Sequence, residues 1–419
     1  MNSFQTIILG IFGFFIIAGL LTVALVKQKG GPDVVSLSIW GSVPQAAVAD
    51  VLRSTFTSET LKVSYRAVPE ESLDQTLLEA LAAGRGPDMV LLPLELLSRY
   101  KDKLQLIPYG TYTERTFKDS FIQEGDLFLF PKGIIALPFY LDPLVMYFNR
   151  DLLDEAGVAV PPKYWDEFIS LAKKLTVRDE DGNISRSAVA LGEFRNVQYA
   201  KEILATMFLQ SGNPIITTDS SGTHATLGQT GISSILDFYT EFANPRKPDY
   251  SWNRALPNSK NLFLSSRLGV YFGLGSEYNE LRKGNPNLDF DVALFPRPRN
   301  QSVGIVYGKL TGVSVLRTSR NLSSALQVAY TLTAPKVGSL LRSKTGLPPV
   351  QRSLLTAKPT DAYGAIMYDS ATRARGFLDP NPKASTEIFR NMIEGMTSGK
   401  TRGSEAALKA QTELNGAMR

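Results

Sequence analysis

The sequence predicts an α/β protein of two lobes, preceded by an N-terminal transmembrane helix. Three observations carry this expectation. The chain has 419 residues, more than one ordinary hydrophobic core organises. Residues 34–93 alternate strand-like and helix-like segments in the order βαβαβ, the opening of an open α/β sheet. Residues 7–26, "IILGIFGFFIIAGLLTVALV", contain no charged side chain.

Those 20 apolar residues would span about 30 Å as a helix, the thickness of a bilayer core. A cleaved signal peptide is the rival reading. No Lys or Arg precedes the run, and the run is longer than a usual signal core, so an uncleaved anchor is preferred. Lys27 and Lys29 follow it, and by charge alone they would hold the body on the cytoplasmic side. Residues 27–33, "KQKGGPD", form a short polar linker.

A first strand is predicted over 34–40. A helix follows over 45–57, with Val48, Val51, Leu52 and Phe56 on one face. "LKVSYRAV" (61–68) alternates apolar and polar residues, as a half-buried strand does. Residues 70–83 bring Leu73, Leu77, Leu78 and Leu81 to one helical stripe, and "GRGPDMVLLP" (84–93) is a turn leading into a buried strand. Ligands of open α/β sheets bind beyond the carboxyl ends of the strands. The tips of interest are therefore Trp40–Ser42 and Leu92–Glu95.

Further on, "LPFYLDPLVMYFN" (137–149) is apolar but holds Pro138, Asp142 and Pro143, so a strand is predicted only from Leu144 to Phe148. Asn149 is a candidate N-cap for a helix over 150–156, and Gly157 is its stop. "PPKYWDEFISLAKKL" places Trp165, Phe168, Ile169, Ala172 and Leu175 on a helical stripe. From there to about residue 300 the pattern is mostly helical. Helices are predicted at 199–210 and 231–242, and strands at 267–275 and 288–296. A strand at 311–317, a helix at 320–333, a proline-fixed loop at 345–350 and a helical tail at 384–414, broken at Ser398–Gly399, complete the chain.

Composition excludes several functions. The net charge of +5 is spread thinly, with no block of five basic residues, so no nucleic-acid partner is expected. The chain has no cysteine, which removes thiolate metal sites, cysteine nucleophiles and a lipidated cysteine anchor. Its one histidine, His224, lies in a polar stretch read as a surface loop, leaving nothing for a zinc site or a Ser-His-Asp triad. "GLGSEY" (273–278) lacks the third glycine of a dinucleotide loop. "DEDGNIS" (179–185) lacks the glycine and glutamate of a calcium loop and is read as a β-turn. No cofactor or metal is expected. Aromatic residues are more informative: Trp40, Tyr140, Tyr199, Tyr278 and Tyr307 fall at or near element ends. Singly each would plug the core. Together, in a two-lobed body, they point to a cleft of flat faces and hydroxyls suited to sugar rings.

The chain resembles the extracellular solute-binding proteins of ABC importers, the family of the maltose-binding protein, over roughly residues 34–414. The resemblance rests on "GIIALPFYLDPLVMYFNRDLLDEAGVAVPPKYWDEFISLAKKLT", on "GRGPDMVLL", "LFLSSRLGVYFG" and "SRNLSSALQVAYTLT", and on "TGLPPV", in order and spacing. The pattern departs at Tyr164, where the family usually has a capping threonine, and at Phe148, where a tyrosine precedes the asparagine. Thr386 and Glu387 stand in place of an aromatic pair, and Ser276 and Tyr278 in place of two tryptophans, which argues against maltodextrin itself.

The resemblance implies a two-lobed periplasmic-binding-protein fold (type II-like) with a hinge. Lobe one would comprise 34–140 and 313–356, and lobe two 143–305 and 357–419. The crossings would be 140–143 and 306–312, with ligand held between lobes that close on it. The ligand-binding residues expected are Trp40, Ser42 and Glu95 from lobe one and Tyr140 and Asp142 from the hinge. Tyr199, Glu277 and Tyr278 are expected from lobe two, and Tyr307 and Gly308 from the second crossing. Asp142 is expected to face solvent and ligand at the mouth of the cleft. The implied role is non-enzymatic: a monomeric body outside a prokaryotic cell membrane, tethered by its N-terminal helix, handing a small polar solute to ABC permease subunits. A sugar or oligosaccharide is favoured and a cationic solute is the alternative. A ligand-sensing or scaffolding domain and a surface glycosidase are the other functional readings.

Overall fold

The computed structural model describes residues 34–220, 222–229 and 231–418. The expected anchor (7–26) and linker (27–33) lie outside the described residues. Among those described, no helix is long and apolar enough to cross a membrane.

The strands, in chain order, are β1 (Val35–Gly41), β2 (Leu61–Ala67), β3 (Met89–Pro93), the short hairpin β4 (Leu129–Phe130) and β5 (Gly133–Ile134), and the long β6 (Leu137–Asn149). They continue with β7 (Val177–Arg178), β8 (Ile184–Val189), the hairpin β9 (Ile216–Asp219) and β10 (Gly222–Ala225), β11 (Leu268–Leu274), β12 (Phe290–Ala293), β13 (Val306–Val315) and β14 (Ala374–Arg375). Ten of them make one sheet in the order β2-β1-β3-β13-β6-β11-β8-β7, with β12 added to β6 and β14 to β13. The first three strands run parallel, connected by the helices Gln45–Thr55 and Glu70–Ala82. The former buries Val48, Val51 and Leu52 and the latter Leu73 and Leu77.

Two hydrophobic cores flank the middle of this sheet. One gathers Leu37 through Leu141 with Leu310 through Ala374. The other gathers Leu144 through Tyr307 with Leu347, Met367 and the segment Ile388–Leu414. Both changes of core fall inside strands, between Leu141 and Leu144 in β6 and between Tyr307 and Leu310 in β13.

The strands expected at 144–148 and 311–317 are therefore parts of longer ones. β6 begins at Leu137 because its prolines fall where the ladder is already interrupted. Pro138 lies opposite Gly312, at the register shift between Thr311 and Gly312, and Pro143 is the last residue paired to β13 before Leu144 passes to β11. The missing proline N–H is tolerated at a bulge or a change of partner. β13 begins at Val306 because it pairs with β14 there.

The region expected to be mostly helical also contains the β7–β8 hairpin, with "DEDG" at its turn, where Asn183 N–H donates to Asp179 Oδ1 at 2.7 Å. His224 is in β10, not a loop, with Nε2 3.6 Å from Asp219 Oδ2. Asn149 caps the helix Arg150–Glu155 by accepting from Leu152 N–H at 3.0 Å. Gly157 follows in the left-handed region with φ +66°, where a side chain would be strained.

Candidate functional site

A cleft of about 450 Å³ opens where the two cores meet. Tyr307 and Lys309 on β13 form its floor. Alternate residues of a strand share a face, so Gly308 between them turns the other way. A Cβ there would lie 2.3 Å from Glu124 Oε2 and 2.7 Å from Leu141 Cδ1. One wall comes from the first core: Pro93 at the end of β3, Glu95 in the 3-10 turn that follows, and Glu70, Glu71 and Asp74 from the start of the helix Glu70–Ala82. The other wall comes from Tyr199, Lys201 and Glu202 at the start of the helix Ala200–Gln210, Leu274 at the end of β11, and Pro380–Lys383. Helix starts and strand ends converge on the cleft, and carboxylates in the first helical turns complement the positive N-terminal ends.

Charge in the cleft is largely matched. The Lys309 ammonium pairs with Glu70. Burial alone would lower the Lys309 pKa, but Glu70, with Glu95 and Asp142 beyond it, holds it above the usual lysine value. Arg99 pairs with Asp74 at 3.0 Å. Lys201 is buried against Asp379 at 2.5 Å and Ser385 Oγ at 2.7 Å, tying the helix Ala200–Gln210 to the loop before the helix Pro382–Thr397. The Tyr307 hydroxyl donates to Glu95, bridging the two cores across the cleft.

Tyr199 occupies the left-handed region with φ 59°, which costs a non-glycine side chain energy and persists only where surroundings enforce it. Its hydroxyl donates to Glu277 Oε1 at 3.3 Å. Glu277 is 6% exposed and also accepts from Lys260 Nζ at 2.8 Å, Tyr271 hydroxyl at 2.7 Å and Leu274 N–H at 3.2 Å. The ring that reaches the cleft is thus set by a carboxylate behind it.

Of the residues singled out in the sequence, Glu95, Tyr199 and Tyr307 line the cleft together. Glu277 stands behind Tyr199. Tyr140 is half-buried and packs against both cores. The expectation that Asp142 faces solvent is corrected: it is 4% exposed, and its Oδ1 accepts from Ser276 N–H at 3.0 Å in the 3-10 turn Gly275–Glu277. Burial pushes its carboxyl up to about 6, against the hydrogen bond from Ser276 and the charge of Lys309. Tyr278 lies outside the cleft lining, packed on Tyr363 with ring centroids 4.6 Å apart. Trp40 and Ser42 are half-buried and also outside that lining, and the Arg66 guanidinium lies over the Trp40 ring at 4.6 Å. Gly308, expected as a ligand contact, is outside the lining as well: its open face turns away from the cleft, toward Glu124 and Leu141. Lys309, Lys201, Glu70 and Glu202 are cleft residues the sequence reading missed. The period-2 rule applied from Tyr307 would have found Lys309. The others become neighbours only through the packing of helix starts. Among the described residues, no group of His, Asp and Glu is placed to hold a metal ion.

The family profile described as "Bacterial extracellular solute-binding protein" matches residues 38–338. The chain belongs to the bacterial extracellular solute-binding protein family. The family is one of binding proteins and not of enzymes, and its members' bodies lie outside the cytoplasm. A binding protein of Brucella abortus is 23% identical over 326 residues, 75% of each chain. The diacetylchitobiose-binding protein DasA of Streptomyces coelicolor is 20% identical over 416 residues, 93% of this chain and 92% of that one. The cyclic α-maltosyl-1,6-maltose-binding protein of Arthrobacter globiformis superposes with a TM-score of 0.75 at 16% identity, covering 92% of this chain and 99% of that one. This last likeness establishes the two-lobed α/β fold shared by the solute-binding family.

Proposed function

We propose that this solute-binding protein takes a carbohydrate or other small polar solute between its two lobes, closes on it about β6 and β13, and delivers it to the permease of an ABC importer. The observation that carries this reading is the cleft itself, lined from both cores at the point where two antiparallel strands pass from one core to the other. A solute touching both walls favours the closed arrangement by its differential affinity for it. Tyr199 and Tyr307 supply ring faces and hydroxyls, and Glu95 and Glu202 accept from solute hydroxyls. The volume is that of a small-molecule site. The N-terminal apolar run, residues 7–26, would tether a monomeric body at the outer face of the membrane.

The test is thermal melting of the full chain across a solute library. A ligand that binds the folded state at a hundredfold its Kd stabilises it by about 2.7 kcal/mol, a readily measured rise in Tm. X-ray scattering with that solute should show a smaller radius of gyration. If no solute raises Tm, the binding reading fails, and if one does so without compaction, the closure reading fails. Deleting residues 7–26 should release the body from the membrane fraction, and retention there would refute the tether.

A further inference from the structure

We infer that the first lobe rests the end of its sheet opposite the cleft on an anionic phospholipid surface, through Arg85, Lys101, Lys103, Arg317 and Arg320. This rests on the reading of residues 7–26 as a membrane tether and adds a posture to it. The starts of β1 and β3 and the finish of β13 lie together: Ile39 is level with Met89, and Met89 with Val315. Beyond that level the backbone is joined side to side. Asp88 N–H donates to Ser38 O at 3.0 Å, Leu316 N–H to Asp88 O at 2.9 Å, and Arg317 N–H to Lys103 O at 3.0 Å. The turn before β3, the 3-10 turn Lys101–Lys103 and the turn after β13 therefore share one edge. Arg85, Lys101, Lys103, Arg317 and Arg320 are all exposed on it, and among the described residues none of them pairs with an acid. Asp88, the acid in the middle, is turned inward. It accepts from Ser38 N–H at 2.9 Å, Ser38 Oγ at 3.1 Å and Ser319 Oγ at 2.7 Å. Asp102 and Glu59 are exposed beside the bases, which leaves the edge positive.

A second, independent observation says what this edge faces. The chain enters the sheet at this same end, because β1 starts at Val35 and runs parallel to β3 toward the cleft. Only residues 27–33 and Val34 separate β1 from the apolar run, and 27–33 reach at most about 25 Å when fully extended. Lys27 and Lys29 lie in that link. A bilayer holding residues 7–26 is thereby kept within reach of the basic edge. Basic side chains beside a membrane span are attracted to anionic headgroups, and the attraction fades within a Debye length, about 8 Å at physiological ionic strength. The far end of β3 carries Pro93 and, in the turn that follows, Glu95, both in the cleft lining. Resting on the basic edge therefore turns the cleft away from the bilayer, toward arriving solute. A contact made only of exposed charges leaves the lobe free to lift again.

The full chain reconstituted into lipid vesicles tests this. It has no cysteine, so Thr318→Cys, an exposed position on the edge, takes a single fluorophore. Contact is read as quenching by a nitroxide on the lipid headgroup, in phosphatidylcholine vesicles with and without a third of phosphatidylglycerol. Quenching should be at least about twofold stronger on the anionic vesicles. It should fall to the neutral level in molar sodium chloride, where the Debye length is about 3 Å. Arg85→Gln, Lys101→Gln, Lys103→Gln and Arg320→Gln together should abolish the difference. Arg317 is kept, because its Nε donates to Leu104 O at 2.8 Å. Arg85→Lys with Arg320→Lys keeps the charge and should keep the difference, which separates lost charge from a damaged fold. Equal quenching on both vesicles, or a difference that survives the four neutral replacements, overturns the inference and leaves the tether standing. Flotation with neutral vesicles in molar salt reports the tether alone. A chain absent from that fraction refutes the tether and the inference with it.

Discussion

Replacing Glu277 by Gln tests whether a buried carboxylate sets the Tyr199 wall of the cleft. Glu277 gathers four donors on two oxygens. Oε2 takes Tyr271 hydroxyl at 2.7 Å and Leu274 N–H at 3.2 Å, and Oε1 takes Lys260 Nζ at 2.8 Å and Tyr199 hydroxyl at 3.3 Å. A glutamine offers one oxygen and one NH2 group, and every neighbour is already a donor. Whichever way the amide turns, its NH2 meets two groups that had donated to the carboxylate, of which the tyrosine hydroxyl can turn to accept and the other cannot. The Leu274 N–H cannot rotate away, so the NH2 should turn toward Lys260 and Tyr199. Lys260 keeps Glu280 at 2.7 Å and is not left unpaired, so the full 3–5 kcal/mol of a broken buried pair is not expected. The charge-assisted bond from Lys260 is lost and the Tyr199 hydroxyl must turn from donor to acceptor, about 1.5–3 kcal/mol. Urea unfolding of wild type, Glu277→Gln, Lys260→Met and the double variant should show this loss, with a coupling of about 1–2 kcal/mol between the two positions. A Glu277→Gln protein within about 0.5 kcal/mol of wild type, the range of an ordinary surface change, would refute the reasoning.

Asp142→Asn should change the pH dependence of stability. Burial pushes the folded carboxyl up to about 6 from its ordinary 3.8, so between those values the folded state holds a proton the unfolded state has released, and stability falls as pH rises. The asparagine variant escapes this, and its advantage over wild type should grow by up to about 3 kcal/mol from pH 4 to pH 7. A pH-independent difference in unfolding free energy would refute the burial argument. Asp379→Asn strands the buried Lys201 ammonium (Nζ to Oδ2 2.5 Å) and should cost about 3–5 kcal/mol in denaturant unfolding. Replacing both residues by apolar ones should cost less than the sum of the single changes, and simple additivity would refute the pairing. Gly308→Ala puts a methyl group 2.3 Å from Glu124 Oε2 and 2.9 Å from Ala374 Cβ, an overpacking of about 1–3 kcal/mol that should appear as a lower Tm. An unchanged Tm would show that the crossing yields there.

The layout of the fold was legible wherever a local rule operates. The βαβαβ opening follows from alternating and helical periodicities that each need only a window of residues, and Asn149 and Gly157 fulfilled their capping roles for the same reason. The hairpin at 177–189 was missed because its second strand, Ile184–Val189, is read as neither period without its neighbour β11. The two long crossing strands were cut short because prolines at 138 and 143 are strand breakers in isolation. They become tolerable only opposite a register shift and a change of partner, features that belong to β13 and β11 and not to β6.

The cleft was legible to the extent that it is made of strand ends. Glu95 follows β3, Tyr307 lies on β13, and Tyr199 was marked as an aromatic at a helix start; all three meet in the lining. Asp142 shows where that logic stops. A carboxylate among apolar residues invites a solvent-facing role, because burial of a charge is costly. Burial is tolerated here because its cost is divided: the Ser276 N–H supplies a hydrogen bond, Lys309 on the facing strand supplies charge, and a carboxyl pushed up to about 6 is largely relieved of its charge in mildly acid solution. None of those three terms is written near position 142. Ser276 is 134 residues away and reaches Asp142 only because β11 hands the chain into a 3-10 turn beside β6. The side chain that most resembled a ligand contact therefore fixes the place where the second core joins the crossing, and the cleft is lined instead by Glu95, Tyr199 and Tyr307.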